Sequence, residues 1–128
     1  MKNDILNALK AIETGDTPEM IKAYYSFGPK LSVFKGHFPG RPLLPGVFQI
    51  EMIRIAIEKF MGKCYNITNV NKAKFSGMIH PKQKIIMKAK INSTGELSHI
   101  SAVFQVEQNV MANISLTLKE KEKSTCDG

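Results

Sequence analysis

The stretch Val47-Phe48-Gln49-Ile50-Glu51-Met52-Ile53-Arg54-Ile55-Ala56-Ile57-Glu58-Lys59-Phe60-Met61 decides how the rest of the chain must fold. Val47, Ile50, Ile53 or Arg54, Ile57 and Met61 line one face of a helix at its natural period. Phe48, Met52, Ile55 and Ala56 make most of the remaining surface apolar too. A helix apolar nearly all round is buried rather than laid on a surface, and Gly62 supplies its stop. Something must therefore wrap it.

The wrapping material follows directly. Residues 67–75, 84–92, 99–107 and 110–119 alternate apolar and polar side chains, the period of a half-buried strand. In the second of these, Ile85, Met87, Ala89 and Ile91 oppose Ile86, Lys88, Lys90 and Asn92. Asn92-Ser93-Thr94-Gly95 and Gln108-Asn109 read as hairpin turns. One antiparallel sheet that needs a cover and one helix that needs burial share a core when the sheet packs around the helix. Upstream, Ile5, Leu6, Leu9 and Ile12 predict a helix over 3–13 ended by Gly15, Met20 to Phe27 reads as a strand, and residues 30–34 as a short extended piece.

The 128 residues suit one domain, with residues 119–128 as a polar, flexible tail. At 43% hydrophobic and 23% charged, the composition is that of a globular chain, which excludes disorder as the main reading. No apolar run approaches the ~20 residues that span a bilayer, and Asp4, Asn7 and Lys10 break up a signal-peptide core. Cys64 and Cys126 form neither a disulfide framework nor a CxxC or Cys/His cluster, so no structural zinc site is expected and a reducing cytoplasm is the default location. Lysine and arginine number 18 against 11 acidic residues, a net charge of +7 that attracts acidic partners. The cations are scattered and lack the aromatic interleaving that nucleic-acid binding favours.

Between the upstream strand and the helix lie Gly36, Pro39, Gly40, Pro42, Pro45 and Gly46. So many fixed φ angles give one stiff, non-repetitive shape, suited to presenting a side chain accurately. His37 stands at its start, either a packed loop residue or a base. Glu51 is the sharper anomaly, a carboxylate in an apolar helix. It reads either as a catalytic group or as part of a structural strip with Arg54 and Glu58. His80 beside Pro81 and His99 at a strand start carry no such signal, and the histidines offer no metal-ligand pattern. Gly46 and Val47 would place unpaired amides at the positive end of the helix dipole, where an oxygen gaining negative charge is stabilised. Base, acid and oxyanion donor make a kit for removing a proton α to a carbonyl.

The segment from Gly36 to Glu51, Gly-His-Phe-Pro-Gly-Arg-Pro-Leu-Leu-Pro-Gly-Val-Phe-Gln-Ile-Glu, closely resembles the signature of the β-hydroxyacyl-acyl-carrier-protein dehydratases. A second segment, Ala73-Lys74-Phe75-Ser76-Gly77-Met78-Ile79-His80-Pro81, resembles that family's later lysine-phenylalanine stretch. The resemblance implies an α+β hotdog fold, an antiparallel sheet wrapped around a long central helix. It implies that His37 removes the α-proton of a 3-hydroxyacyl thioester, that Glu51 protonates the departing hydroxyl, and that the Gly46 amide polarises the carbonyl, with Val47 beside it. It further implies a homodimer, or a larger assembly of dimers, in which histidine and glutamate come from different subunits. The acyl chain would run in a tunnel lined by Phe38, Met52 and Ile55. The substrate would be a phosphopantetheine thioester on an acidic acyl carrier protein, docked by lysines such as Lys35, Lys72, Lys74 or Lys82 or by Arg41. No cofactor, metal, nucleic acid or membrane is implied. Met52, Arg54 and Ile55 stand where the family carries small residues and a glutamine, and the chain lacks the family's usual opening, marks of a divergent member with a specialised role. Arg54 is also placed to pair with Glu51 and hold it ionised, against its use as a proton donor. A hotdog thioesterase and a non-catalytic acyl-binding subunit are the alternatives.

Overall fold

The computed structural model describes residues 2–28 and 44–122. The expected strand at 30–34, most of the Pro/Gly loop with His37 and Phe38, and the end of the tail lie outside them. In chain order the elements are α1 (Lys2–Ala8), β1 (Leu9–Thr14), β2 (Met20–Ser26), α2 (Gly46–Met61), β3 (Tyr65–Phe75), β4 (Lys84–Thr94), β5 (Leu97–Val106) and β6 (Asn109–Glu120). The six strands form one sheet in the order β1-β2-β4-β5-β6-β3, every neighbouring pair antiparallel. Long apolar helix and alternating strands share one core, as their patterns require.

One element differs from its sequence reading. The amino-terminal helix stops at Ala8, and Leu9 to Thr14 pair with β2 from Leu9↔Tyr25 to Thr14↔Ile21. The spacing of Leu9 and Ile12 suits a helix, but the free edge of β2 offers a ladder of backbone partners, and tertiary pairing overrides local periodicity. Gly15 turns the chain instead of ending a helix. Its N–H donates to the Met20 carbonyl at 2.6 Å, and a Cβ there would lie 2.8 Å from that of Met20.

α2 matches the expected span, and Gly62 at φ 69° closes it in the left-handed region, its N–H bonded to the Glu58 carbonyl. The two long hairpins turn on Gly95-Glu96 and Glu107-Gln108, with Gly95 and Glu107 at positive φ. Thus Asn92 to Thr94 stay in β4, and the last turn falls one residue before Gln108-Asn109. Pairing of β6 continues to Glu120, into the stretch read as tail. In β4 the alternation is as read, with Ile85, Met87 and Ala89 buried. In β3 it does not show as burial. Only its first residue, Tyr65, is buried, two irregularities interrupt its pairing with β6, and Val70 and Phe75 are each 46% exposed. β3 is an edge strand, and its second edge faces no described element.

Helix and sheet are tied at Tyr25, whose buried hydroxyl donates to the Met52 carbonyl at 2.8 Å. Its ring stacks on Phe27, which meets Phe48 edge-on. Burial pushes the Tyr25 phenol well above the usual tyrosine value of 10.0. In the unfolded chain the phenol ionises near that value, whereas in the fold it resists, so its contribution is complete below pH 10 and is lost as pH rises further. The melting temperature is therefore expected to fall above pH 10, and Tyr25→Phe to show a shallower alkaline fall than the wild type. Equal slopes for the two proteins in a thermal-melt series would contradict this.

Cys64 departs from the reading of its sequence. It is disulfide-bonded, not a free thiol, and its carbonyl accepts the Lys121 N–H at 2.8 Å. Spacing gave no sign of this, because a single bridge has no sequence pattern. Among the described residues no helix is long and apolar enough to cross a membrane, and no His/Cys/Asp/Glu cluster could hold a metal.

Candidate active site

Glu51 lies in the second turn of α2, on the one strip of that helix that is not sealed in the core. Arg54 reaches back to it in a fork, Nε donating to Oε2 at 2.6 Å and Nη2 to Oε1 at 3.2 Å. The third guanidinium nitrogen, Nη1, donates to Glu58 Oε2 at 2.9 Å. That same oxygen accepts the backbone N–H of Tyr65, the first residue of β3, at 2.8 Å. The strip anticipated from the i+3 and i+4 spacing is therefore present, and it is anchored to the sheet. The Glu51 hydrogen bond is the main cause that raises the Arg54 guanidinium above its ordinary value; burial works against it. Arg54 is a permanent cation here.

Exposure falls along the strip, from 28% for the Glu51 side chain to 16% for Arg54 and 10% for Glu58. Glu51 is thus the member that meets solvent. It opens on a cavity of about 290 Å³ lined with Arg54, Tyr65, Asn66, Ile67 and Lys121. These last four residues were not singled out from sequence. They come from the start of β3 and from the residue just after β6, brought beside the helix by sheet pairing that no local pattern reveals.

The amino end of α2 is built from Leu44, Pro45 and Gly46. Pro45 is the N-cap in extended conformation with no side-chain cap bond, and its carbonyl accepts the Gln49 N–H. The amides of Gly46 and Val47 precede that first helical bond, the position required of an oxyanion donor. Five residues of helix, about 7.5 Å of rise, separate Gly46 from Glu51. Gly46 sits on the Phe75 ring so closely that a Cβ would lie 2.6 Å from its Cζ. Phe75, quoted above for its resemblance alone, is thus the floor under the helix start. Leu44 is held from both sides, its N–H on the Ile79 carbonyl at 2.9 Å and its own carbonyl accepting Gln49 Nε2 at 3.3 Å. Gln49 is 3% exposed, and among the described residues its Oε1 has no partner. Sequence reading took Gln49 only as a neighbour of Glu51; a polar residue in an apolar helix face was the available signal.

Gly46→Ala is accordingly expected to cost about 1–3 kcal/mol through overpacking against an aromatic ring. Phe75→Leu should return most of that loss in the double variant. A fully additive pair in denaturant titration would show that the contact is not the cause.

Of the other expected site residues, Val47 is 62% exposed, whereas Met52 and Ile55 are sealed in the core. His37 and Phe38 lie outside the described residues. Glu51, Gly46 and Val47 are therefore brought to one end of one helix.

The profile of the ApeI dehydratases matches residues 13–123. The chain belongs to the ApeI-like dehydratase family. Among curated proteins it is 28% identical over 80 residues to the 3-hydroxyacyl-[acyl-carrier-protein] dehydratase FabZ of Clostridium beijerinckii, covering 57% of this chain and 56% of that protein. Against the FabZ of Clostridium tetani it is 26% identical over 113 residues, covering 82% and 80%. The chain thus spans little more than half the length of the first of these relatives. The dehydratase heterocomplex ApeI:P from Xenorhabdus doucetiae superposes with a TM-score of 0.72 at 21% identity, over 87% of this chain and 96% of that one. The fold is the hotdog expected from the sequence: a six-stranded antiparallel sheet on a long helix.

Proposed function

We propose that the protein is a hydro-lyase that converts a 3-hydroxyacyl thioester, carried on the phosphopantetheine of an acyl carrier protein, to the trans-2-enoyl thioester. The observation that carries this is Glu51, partly exposed at a cavity, five residues beyond the helix-start glycine in a chain of a dehydratase family. His37 takes the α-proton; the electron pair forms the α,β double bond; the β-hydroxyl leaves as water with a proton from Glu51, which must enter the step as the acid against the Arg54 fork. The amides at Gly46 and Val47 hold the thioester oxygen while it carries the charge. The acyl chain runs past Phe38, with Met52 and Ile55, sealed in the core, backing that path from beneath.

The site is completed by a second copy. Among the described residues the outer edge of β3 has no strand partner, and Val70 and Phe75 on that strand are exposed apolar side chains. Pairing there brings the partner toward the Glu51 cavity, whose wall includes the start of β3. ApeI:P is a dehydratase heterocomplex, and a different chain is therefore the alternative to a second copy. The cytoplasm is the compartment proposed, and the Cys64 bridge is the feature that stands against a strongly reducing one.

One feature favours a second reading, hydrolysis of the thioester. Both Glu51 oxygens accept from Arg54, an arrangement suited to a carboxylate that activates water. Incubation with a 3-hydroxyacyl carrier-protein thioester separates the two. Enoyl thioester without free thiol supports dehydration; thiol release supports hydrolysis; binding without either product points to a non-catalytic subunit.

A further inference from the structure

The outer face of the sheet, opposite α2, carries a charge pattern that the dehydration step does not use, and it includes Lys72 and Lys74, named above among the lysines expected to dock a carrier protein. Register places Lys88 of β4, Val103 of β5, Asn113 of β6 and Lys74 of β3 in one row across four strands. The row beside it runs Lys90, Ser101, Ser115 and Lys72. Each row thus has a lysine at both ends and short neutral side chains between them. Lys22 of β2 stands directly opposite Lys88, and Lys84 lies further along β4 on the same face. None of these six lysines is buried, and among the described residues none forms an ion pair. Glu13, the acid across from Lys22, is instead hydrogen-bonded by the Tyr24 hydroxyl at 2.6 Å. Like charges facing each other across strands are destabilising. The face keeps this repulsion without a partner of its own.

The dimensions indicate the occupant. Three interstrand steps separate the two lysine rails, about 14 Å. An α-helix with its side chains is about 10–12 Å across. Along each rail the lysines are two strand residues apart, about 6.8 Å, and carboxylates at i and i+4 of a helix are about 6 Å apart. No Phe, Tyr or Trp stands between the rails for a base to stack on, and His99 in the next row of β5 is the nearest ring along that line, which disfavours single-stranded nucleic acid. We infer that this face docks an acidic α-helix of a protein partner, lying between the rails and parallel to the strands, with glutamates or aspartates on both flanks. The inference does not depend on turnover, so it stands or falls separately from the dehydratase reading.

The test is fluorescence anisotropy with a labelled helical peptide bearing Glu at i and i+4 on both flanks. A control peptide of the same charge carries two internal prolines. The helical peptide should bind about tenfold or more tightly than the control, and binding should weaken with salt. Lys88→Glu and Lys74→Glu, one on each rail, should each weaken it by about tenfold, whereas Lys59→Glu on α2 should leave it unchanged. Should a charge reversal perturb the melt, Lys88→Gln and Lys74→Gln serve, with about a threefold loss expected for each. Equal binding of the two peptides, an equal effect of Lys59→Glu, or tighter binding to phosphatidylserine vesicles or single-stranded RNA than to the helical peptide would overturn the assignment.

Discussion

Glu51→Gln is expected to lower the rate of enoyl thioester formation by about 10²–10⁴-fold, the usual worth of a general acid or base, with little change in KM. Glutamine keeps the shape of the side chain and still offers Arg54 one acceptor, while Arg54 retains Glu58 and Glu58 retains the Tyr65 amide. The strip therefore survives the substitution, and the loss reports on the proton, not on the fold. Steady-state kinetics on a carrier-bound 3-hydroxyacyl thioester, beside a thermal melt of each protein, measure both at once. A kcat within about tenfold of wild type would remove Glu51 from the proton-transfer step.

The second large effect belongs to the core. Phe104 is fully buried on β5, opposite Met87 of β4 and Ala112 of β6, and forms part of the cluster under α2. Phe104→Ala removes a ring from a close-packed site and is expected to cost about 3–5 kcal/mol. Domains of this size have only about 5–15 kcal/mol in total, so the variant should unfold at much lower urea and lose activity through depletion of the native state. Val47→Ala, at a side chain 62% exposed, should change stability by less than about 0.5 kcal/mol. If the two variants shift the urea midpoint equally, the helix-on-sheet core is misplaced.

These effects show which parts of the molecule local sequence carries. α2 and the last three strands were legible because period and composition agree there with the tertiary demand: an apolar helix seeks burial, and alternating strands provide one apolar face. Leu9 to Thr14 misled because helical spacing in a six-residue stretch is a weak preference beside a free strand edge. β3 was recognised as a strand, yet its exposure was not, since whether an alternating strand is central or at an edge is settled by topology.

The site divides in the same way. Glu51 was legible as a carboxylate out of place, and Arg54 and Glu58 as its helical neighbours. The fork geometry, the anchor on the Tyr65 amide and the cavity walls from β3 and the residue just after β6 depend on contacts between residues far apart in sequence. Phe75 under Gly46 is of that kind as well. A glycine before a helix suggests a tight approach, but the ring that requires it lies 29 positions later.

The claim on which the functional account rests is that a working site joins His37 of one copy to Glu51 of another. Subunit mixing measures it directly. His37→Ala and Glu51→Gln proteins, each purified inactive, are unfolded together, refolded and assayed. In a two-fold dimer with sites shared across the interface, half of the mixed dimers are heterodimers and each has one intact site, so activity should return to about a quarter of wild type. A mixture that remains as inactive as its two components, while native mass spectrometry shows heterodimers present, would contradict the account.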